Sequence, residues 1–210
     1  MKKIAIIGYS GHAYVVVEIL LQMGYEIVGY FEKKEVISNP FNLKYLGNEN
    51  EVDLNDYSTN NIQFFVAIGD NTIRRVIIND LTFKNIAVAN AISQSANVSA
   101  YTEIGNGSMI SSGVCINALS KIGIGVIINT GAIIEHECRI GDFSHIAPGA
   151  VLSGNVSIGK NSFIGANSVI KQGVKIGNNV VVGAGAVVLK DIPDNEIWAG
   201  NPAKTLKQNG

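Results

Sequence analysis

The sequence predicts a chain in two parts, an α/β domain over residues 1–85 followed by an all-β, parallel β-helix over residues 86–210. Three observations carry this reading. Aliphatic residues recur at every sixth position from Ile92 to Val188. Small residues and glycines hold fixed places between them. Before residue 85, strand-like apolar runs alternate with runs of helical spacing.

In the first part, KIAII at residues 3–7 reads as a buried parallel strand and Gly8-Tyr9-Ser10-Gly11-His12 as a turn. AYVVVEILLQMG has the apolar spacing of a helix that closes at Gly24, a residue suited to the left-handed conformation after a helix end. EIVGYFE is a second strand ending at Glu32, and FFVAIG at residues 64–69 is another. DNTIRRVIINDL follows as a helix with Asp70 as its N-cap. This alternation gives a small Rossmann-like parallel sheet, and such sheets bind ligands beyond the carboxyl ends of their strands. Gly8 to His12, Glu32 and Gly69 to Asn71 all fall at those ends. GYSG is not a full GxGxxG, so a bound NAD is not expected. Glu32 either hydrogen-bonds a ribose or base, or stands as a solvated carboxylate; His12 either meets a ligand or caps the helix.

The second part rests on the period of six. Ile92, Val98, Ile104 and so on to Val188 make seventeen aliphatic positions without a slip. Four residues after the aliphatic position the residue is usually small, as at Ala132, Ser144, Ala150, Ser162, Ser168 and Ala186. Neither an α-helix nor a heptad has this period. Each six is a short strand plus a corner, and three of them close one triangular coil. Coils then stack at the inter-strand spacing of ~4.8 Å, with the aliphatic side chains inward.

Composition narrows the function. A net charge of −1 argues against a nucleic-acid partner. Cys115 and Cys138 form no CxxC and read as small residues in a reducing compartment. Gly8, Ser10, Gly11 and His12 interrupt the N-terminal apolar run, which is therefore a strand and not a signal peptide. No run reaches transmembrane length, so a cytoplasmic location without membrane association is expected.

One segment departs from the repeat. IIEHECRIGDFSH, residues 133–145, holds two of the three histidines, and Glu135 and Glu137 flank His136. The repeat resembles the left-handed β-helix of hexapeptide-repeat acyltransferases over residues 92–204, including the tail GNPAK; the left hand comes with the resemblance. GYSGH, FFVAIGDNTIRR, NTGAIIEHECRIGDFSHIAPGA, NVSIGKNSFIGANSVI and GNPAK together resemble the nucleotide-sugar acetyltransferases that modify 4-amino-4,6-dideoxy sugars. Those enzymes belong to bacillosamine, viosamine and perosamine routes, and the sialic acid O-acetyltransferases share the plan.

The resemblance implies acetyl-CoA as co-substrate and no metal. His136 would be the general base and Glu137 the acid that orients it, while Glu135 faces solvent. His145, Ala166, Ala184 and Lys204 would lie at acetyl-CoA. Ser10, Gly11, His12, Glu32, Lys33 and Gly69 would hold the nucleotide-linked amino sugar. It also implies a homotrimer and a place in surface polysaccharide, O-antigen or glycan assembly. At Glu32-Lys33 the bacillosamine enzyme has two acidic residues, so the nucleotide stays open, with dTDP (as in dTDP-4-amino-4,6-dideoxyglucose) or UDP favoured over GDP.

The chemistry needs such residues. An acceptor amine is largely protonated at neutral pH, and a histidine beside a carboxylate can take its proton as it attacks the thioester. Direct transfer of this kind needs neither cysteine. Three rivals remain: O-acetylation of a sugar hydroxyl, a non-catalytic nucleotide-binding scaffold, and a zinc carbonic anhydrase. The last needs three converging imidazoles, and the β-helix carries only His136 and His145.

Overall fold

In the computed structural model, which describes residues 2–208, the chain divides after Gln94 into two compact units. The first holds β1 (Lys2–Ile7), α1 (Gly11–Gln22), β2 (Tyr25–Phe31), α2 (Asn55–Thr59), β3 (Ile62–Val66) and α3 (Asn71–Phe83). Its three strands are parallel in the order β2–β1–β3. Ile4 to Ile7 and Phe64 to Val66 are buried on both faces of the sheet, which is why these runs are continuously apolar.

The helices end as their sequences direct. Gly24 lies at φ +81 after α1 and donates to Leu21 O at 3.0 Å. The Asp70 side chain accepts from Ile73 N at 2.9 Å and caps α3. Two details differ from the sequence reading. β3 stops at Val66, because its partner β1 ends at Ile7 and the ladder closes with Ala67 N donating to Ile7 O. Residues 67–69 are therefore a turn. The short α2 buries no side chain, so it left no apolar period to read.

The second unit is a parallel β-helix built from two-residue strands, each followed by a corner. Strands eighteen residues apart pair in register, giving three sheets. The inward columns are Ile110–Ile128–Ile146–Ile164–Val182, Ile116–Ile134–Leu152–Ile170–Val188 and Ile122–Ile140–Ile158–Ile176. All of these are buried, each worth roughly 1.5–3 kcal/mol against exposure. Buried corner serines join adjacent coils: Ser144 Oγ donates to Gly159 O and accepts from Ser162 N. The strand Glu196–Ala199 adds to one sheet, with Trp198 above Val182, and Lys204–Gln208 pairs back on it antiparallel.

Coils approach so closely that some glycines are obligatory. A Cβ on Gly105 would lie 2.6 Å from Gly123 C and 2.7 Å from Ile124 N. Backbone cannot yield as a flexible side chain does, so Gly105→Ala is expected to cost about 1–3 kcal/mol. A thermal melt should show a fall of several degrees, and an unchanged midpoint would contradict this packing.

Candidate active site

Two clusters contain most of the residues singled out from sequence. The first, within the first unit, lies at the carboxyl ends of the parallel strands. The turn after β1 and the turn after β3 touch: Gly8 lies at φ +88, and a Cβ there would sit 2.6 Å from Ile68 Cγ1. Glu32, just past β2, ties itself to both sides. Its Oε2 accepts from Tyr9 N at 3.2 Å and its Oε1 from Lys33 N at 3.0 Å. The carboxylate is thus a fixed part of the site, whereas the Lys33 side chain projects into solvent. A Cβ at Gly11 or at Gly69 would meet no atom within 4 Å, so both turns present bare backbone. Ser10 is exposed at the start of α1 and makes no side-chain capping bond.

His12 lies within the first turn of α1 and is not its cap. Its Nε2 is buried without a hydrogen-bond partner. Burial, and then the charge of Arg74, push its pKa down to about 4, so the ring is neutral at pH 7. A hollow of about 700 Å³ in this unit lies at the opposite ends of the strands, lined by Lys2, Lys3, Ile62 and Gln63. Ligand sites of parallel sheets lie at the carboxyl ends, so geometry favours the His12 turn over that hollow.

The second cluster sits on a corner of the β-helix. His136 Nδ1 and Glu137 Oε2 are 3.0 Å apart, with both side chains about half exposed at 52% and 57%. An ionised carboxylate only accepts, so Nδ1 is the donor of this bond, and a neutral ring in that tautomer leaves Nε2 its lone pair. Ile134, two residues earlier, takes the inward position and frees His136 from the core. Glu137 lies at φ +62, in a corner column continued by Leu119 and Asn155 at positive φ and by Gly173. A glutamate tolerates that conformation less well than asparagine or glycine, by roughly 1–2 kcal/mol. Glu135 is half-buried and accepts from Asn117 Nδ2 at 2.9 Å, where solvent exposure was expected.

Gly154, one coil on from His136, was not singled out by the sequence. A Cβ there would lie 2.6 Å from both Cε1 and Nε2 of the imidazole. The ring therefore rests on bare backbone, and any larger residue would displace it. Counting eighteen residues from His136 reaches Gly154, so this signal was present once the coil length was known. A groove of about 340 Å³ beside Glu137 is lined by Tyr101, Leu119, Lys121, Arg139 and Asn155.

The other residues lie elsewhere on the coil. His145 is outward on the sheet of Ile127 and Phe163, its ring 5.1 Å from that of Phe163 and its Nε2 3.3 Å from Asn129 Nδ2. Ala166 and Ala184 occupy one corner on successive coils, joined by Gly185 N donating to Ala166 O at 2.8 Å. Lys204 starts the terminal strand of the sheet that also carries His145. His136 and Glu137 occupy the corner after the sheet of Ile133, and Ala166 and Ala184 the corner before it. Within one chain the coil thus separates the pair from His145 and these alanines. Cys138 is buried, its thiol pushed up to about 11 chiefly by desolvation, and it donates to Ser153 O. Among the described residues, no three or more His, Cys, Asp or Glu side chains converge as a metal-binding group.

Comparison with known proteins bears on both clusters. Residues 3–81 match the family model of the PglD N-terminal domain, and residues 155–190 that of the hexapeptide repeat of succinyl-transferase. The acetyltransferase domain of PglB from Neisseria gonorrhoeae FA1090, solved with acetyl coenzyme A, is 38% identical. The match covers 98% of this chain and 99% of that one, with a TM-score of 0.92. PerB from Caulobacter crescentus, solved with CoA and GDP-perosamine, is 36% identical over 98% of this chain and 97% of that one, with a TM-score of 0.92. WeeI from Acinetobacter baumannii AYE is 25% identical over 97% and 99%, with a TM-score of 0.85. The comparison with curated proteins gives no match.

Gly154 has an ordinary φ, outside the left-handed region, so alanine is compatible with its backbone. Gly154→Ala is expected to keep the fold and to turn the imidazole away from Glu137. Ring resonances of His136 followed by NMR should shift and titrate differently from the parent protein. Unaltered resonances in a folded variant would show that the ring does not depend on Gly154.

Proposed function

The chain belongs to the sugar N-acetyltransferases of the left-handed β-helix type, and from that premise we propose that it acetylates the 4-amino group of a nucleotide-linked 4-amino-4,6-dideoxy sugar, using acetyl-CoA. The observation that carries the mechanism is the His136–Glu137 pair, 3.0 Å apart on an exposed corner. Nε2 of His136 takes a proton from the acceptor amine as its nitrogen attacks the thioester carbonyl. The C–S bond then breaks, and the CoA sulfur leaves as thiolate and takes the proton held by the His136 imidazolium, which returns the ring to its neutral form. Glu137 holds the Nδ1 proton and offsets the charge of the imidazolium as it forms. His145, Ala166, Ala184 and Lys204 are assigned to the cofactor. Ser10, Gly11, His12, Glu32, Lys33 and Gly69 are assigned to the sugar nucleotide, with dTDP or UDP as its nucleotide. Nucleotide binding is assigned to residues 1–85 and acetyl transfer to residues 86–210. The product would serve surface polysaccharide, O-antigen or glycan assembly, with the enzyme acting in the cytoplasm.

We propose that the chain assembles as a homotrimer, and the distribution of outward residues supports this. Cys115, Ile133, Val151, Val169 and Val187 form an apolar ladder on one sheet, with Ile133 and Val169 still 36% and 39% exposed. The ladder of another sheet, Glu103, Lys121, Arg139, Ser157 and Lys175, is polar. A closed assembly that buries the apolar ladder removes that surface from water. His136 flanks this sheet on one edge, Ala166 and Ala184 on the other. Packing it against a neighbour brings the base of one copy toward the cofactor residues of the next.

Thiol release from acetyl-CoA, measured over a panel of dTDP-, UDP- and GDP-linked amino sugars, tests the activity. His136→Ala should lower turnover by roughly 10²–10⁴-fold, the range for loss of a general base. Its melting temperature should not change, because Ile134 and not His136 faces the core. A folded variant with near-normal turnover would remove His136 from the mechanism.

Val169→Glu tests the assembly separately. A carboxylate in the middle of the ladder should give monomers by light scattering at micromolar concentration, with activity lost in parallel. A parent protein that is itself monomeric, or a variant that remains a full trimer, would refute this interface.

A further inference from the structure

Arg74 is 1% exposed, and the assignments above give this charge no task. It projects from α3, where Ile78 and Leu81 occupy the other buried positions. Burying a guanidinium is costly, and an apolar side chain of similar volume would fill such a site at less expense. Burial pushes its pKa down to about 10, with Asp70 acting in the opposite sense, so it remains charged at neutral pH.

Three of its hydrogen bonds converge on the start of α3 and the turn before it. Nη1 donates to Ile68 O and Gly69 O, both at 3.0 Å. Nη2 donates to Asn71 Oδ1 at 2.8 Å. These partners are two residues of the turn between β3 and α3 and the first residue of α3; the turn carries Gly69 and packs against the Gly8 turn through Ile68. The His12 ring lies within reach of the same charge.

We propose that Arg74 is a positioning residue of the sugar-nucleotide site, acting through the Ile68–Asn71 turn and through the His12 ring beside it. This rests on the sugar-nucleotide reading of the first unit. The forked guanidinium fixes two carbonyls and one side-chain amide, so the backbone at Gly69 meets the ligand already ordered. Its charge opposes a second cation at His12. A neutral imidazole accepts at one ring nitrogen and donates at the other, whereas an imidazolium only donates. The buried Nε2 is thereby kept able to accept from a hydroxyl or ring N–H of the nucleotide.

Arg74→Met retains the volume and removes both charge and fork; Arg74→Lys keeps the charge alone. With the sugar nucleotide that supports turnover, Arg74→Met should raise its KM about tenfold or more, as for losing a charged hydrogen bond. KM for acetyl-CoA and kcat at saturation should be little changed. By NMR, the His12 ring should titrate at higher pH in Arg74→Met than in the parent, and Arg74→Lys should restore the low value. A folded Arg74→Met chain with parental KM for the sugar nucleotide would overturn the proposal. So would a KM rise shared equally by acetyl-CoA, which marks a general structural role. If Arg74→Met fails to fold, Arg74→Lys decides through the same KM, because it too lacks the fork. A parent chain inactive on every sugar nucleotide would refute the underlying reading instead, a result distinct from an active parent indifferent to Arg74.

Discussion

The stacking of aliphatic side chains every eighteen residues is the constraint on which the β-helix depends. Two-residue strands have almost no stability alone. They hold because each inward residue sits on its equivalent one coil away, as Ile134 does between Ile116 and Leu152. A single-residue slip would turn that column outward, and every later coil with it. The corners pay for this regularity with unusual backbone: glycine or asparagine at positive φ recurs along them. Chemistry can be added only where the ladder does not need the side chain, at outward strand positions and at corners.

The His136 cluster obeys that limit. The imidazole and carboxylate occupy a corner, so their exposure leaves the inward column intact. Neighbouring coils then supply what one repeat cannot. Gly154 makes room for the ring from the next coil, and Asn155 N donates to His136 O at 2.8 Å. The strained φ at Glu137 points the carboxylate back toward Nδ1 of the residue before it. A rigid scaffold with a fixed rise per coil is suited to holding such a pair without help from a mobile loop.

The first unit solves a different problem. Its candidate site is built from three strand ends, where backbone N–H groups and carbonyls run out of sheet partners. Glu32 satisfies two of the donors and Arg74 two of the acceptors. These buried or half-buried charges keep the turns in one arrangement while Gly11 and Gly69 stay bare. His12 is held neutral in the same environment, its basicity lowered by burial and by the neighbouring guanidinium. The two histidines therefore differ in kind: His136 meets a carboxylate in the open, and His12 a cation under cover.

The sequence by itself determined the β-helix almost completely, because a period of six with inward aliphatics is a one-dimensional pattern that survives without coordinates. It determined the parallel sheet, the Gly24 and Asp70 helix ends, and the exposed placement of His136 for the same reason: each is local or periodic. Tertiary structure alone decided what depends on contact between distant residues. The steric dependence of His136 on Gly154, the two backbone bonds to Glu32 and the convergence of Arg74 on the Ile68–Asn71 turn belong to this class. A helix presents arginine to water by default, and nothing in the sequence marks Arg74 as different. Only the fold shows it turned inward, where the loss of hydration is met by carbonyls that the strand ends leave unpaired.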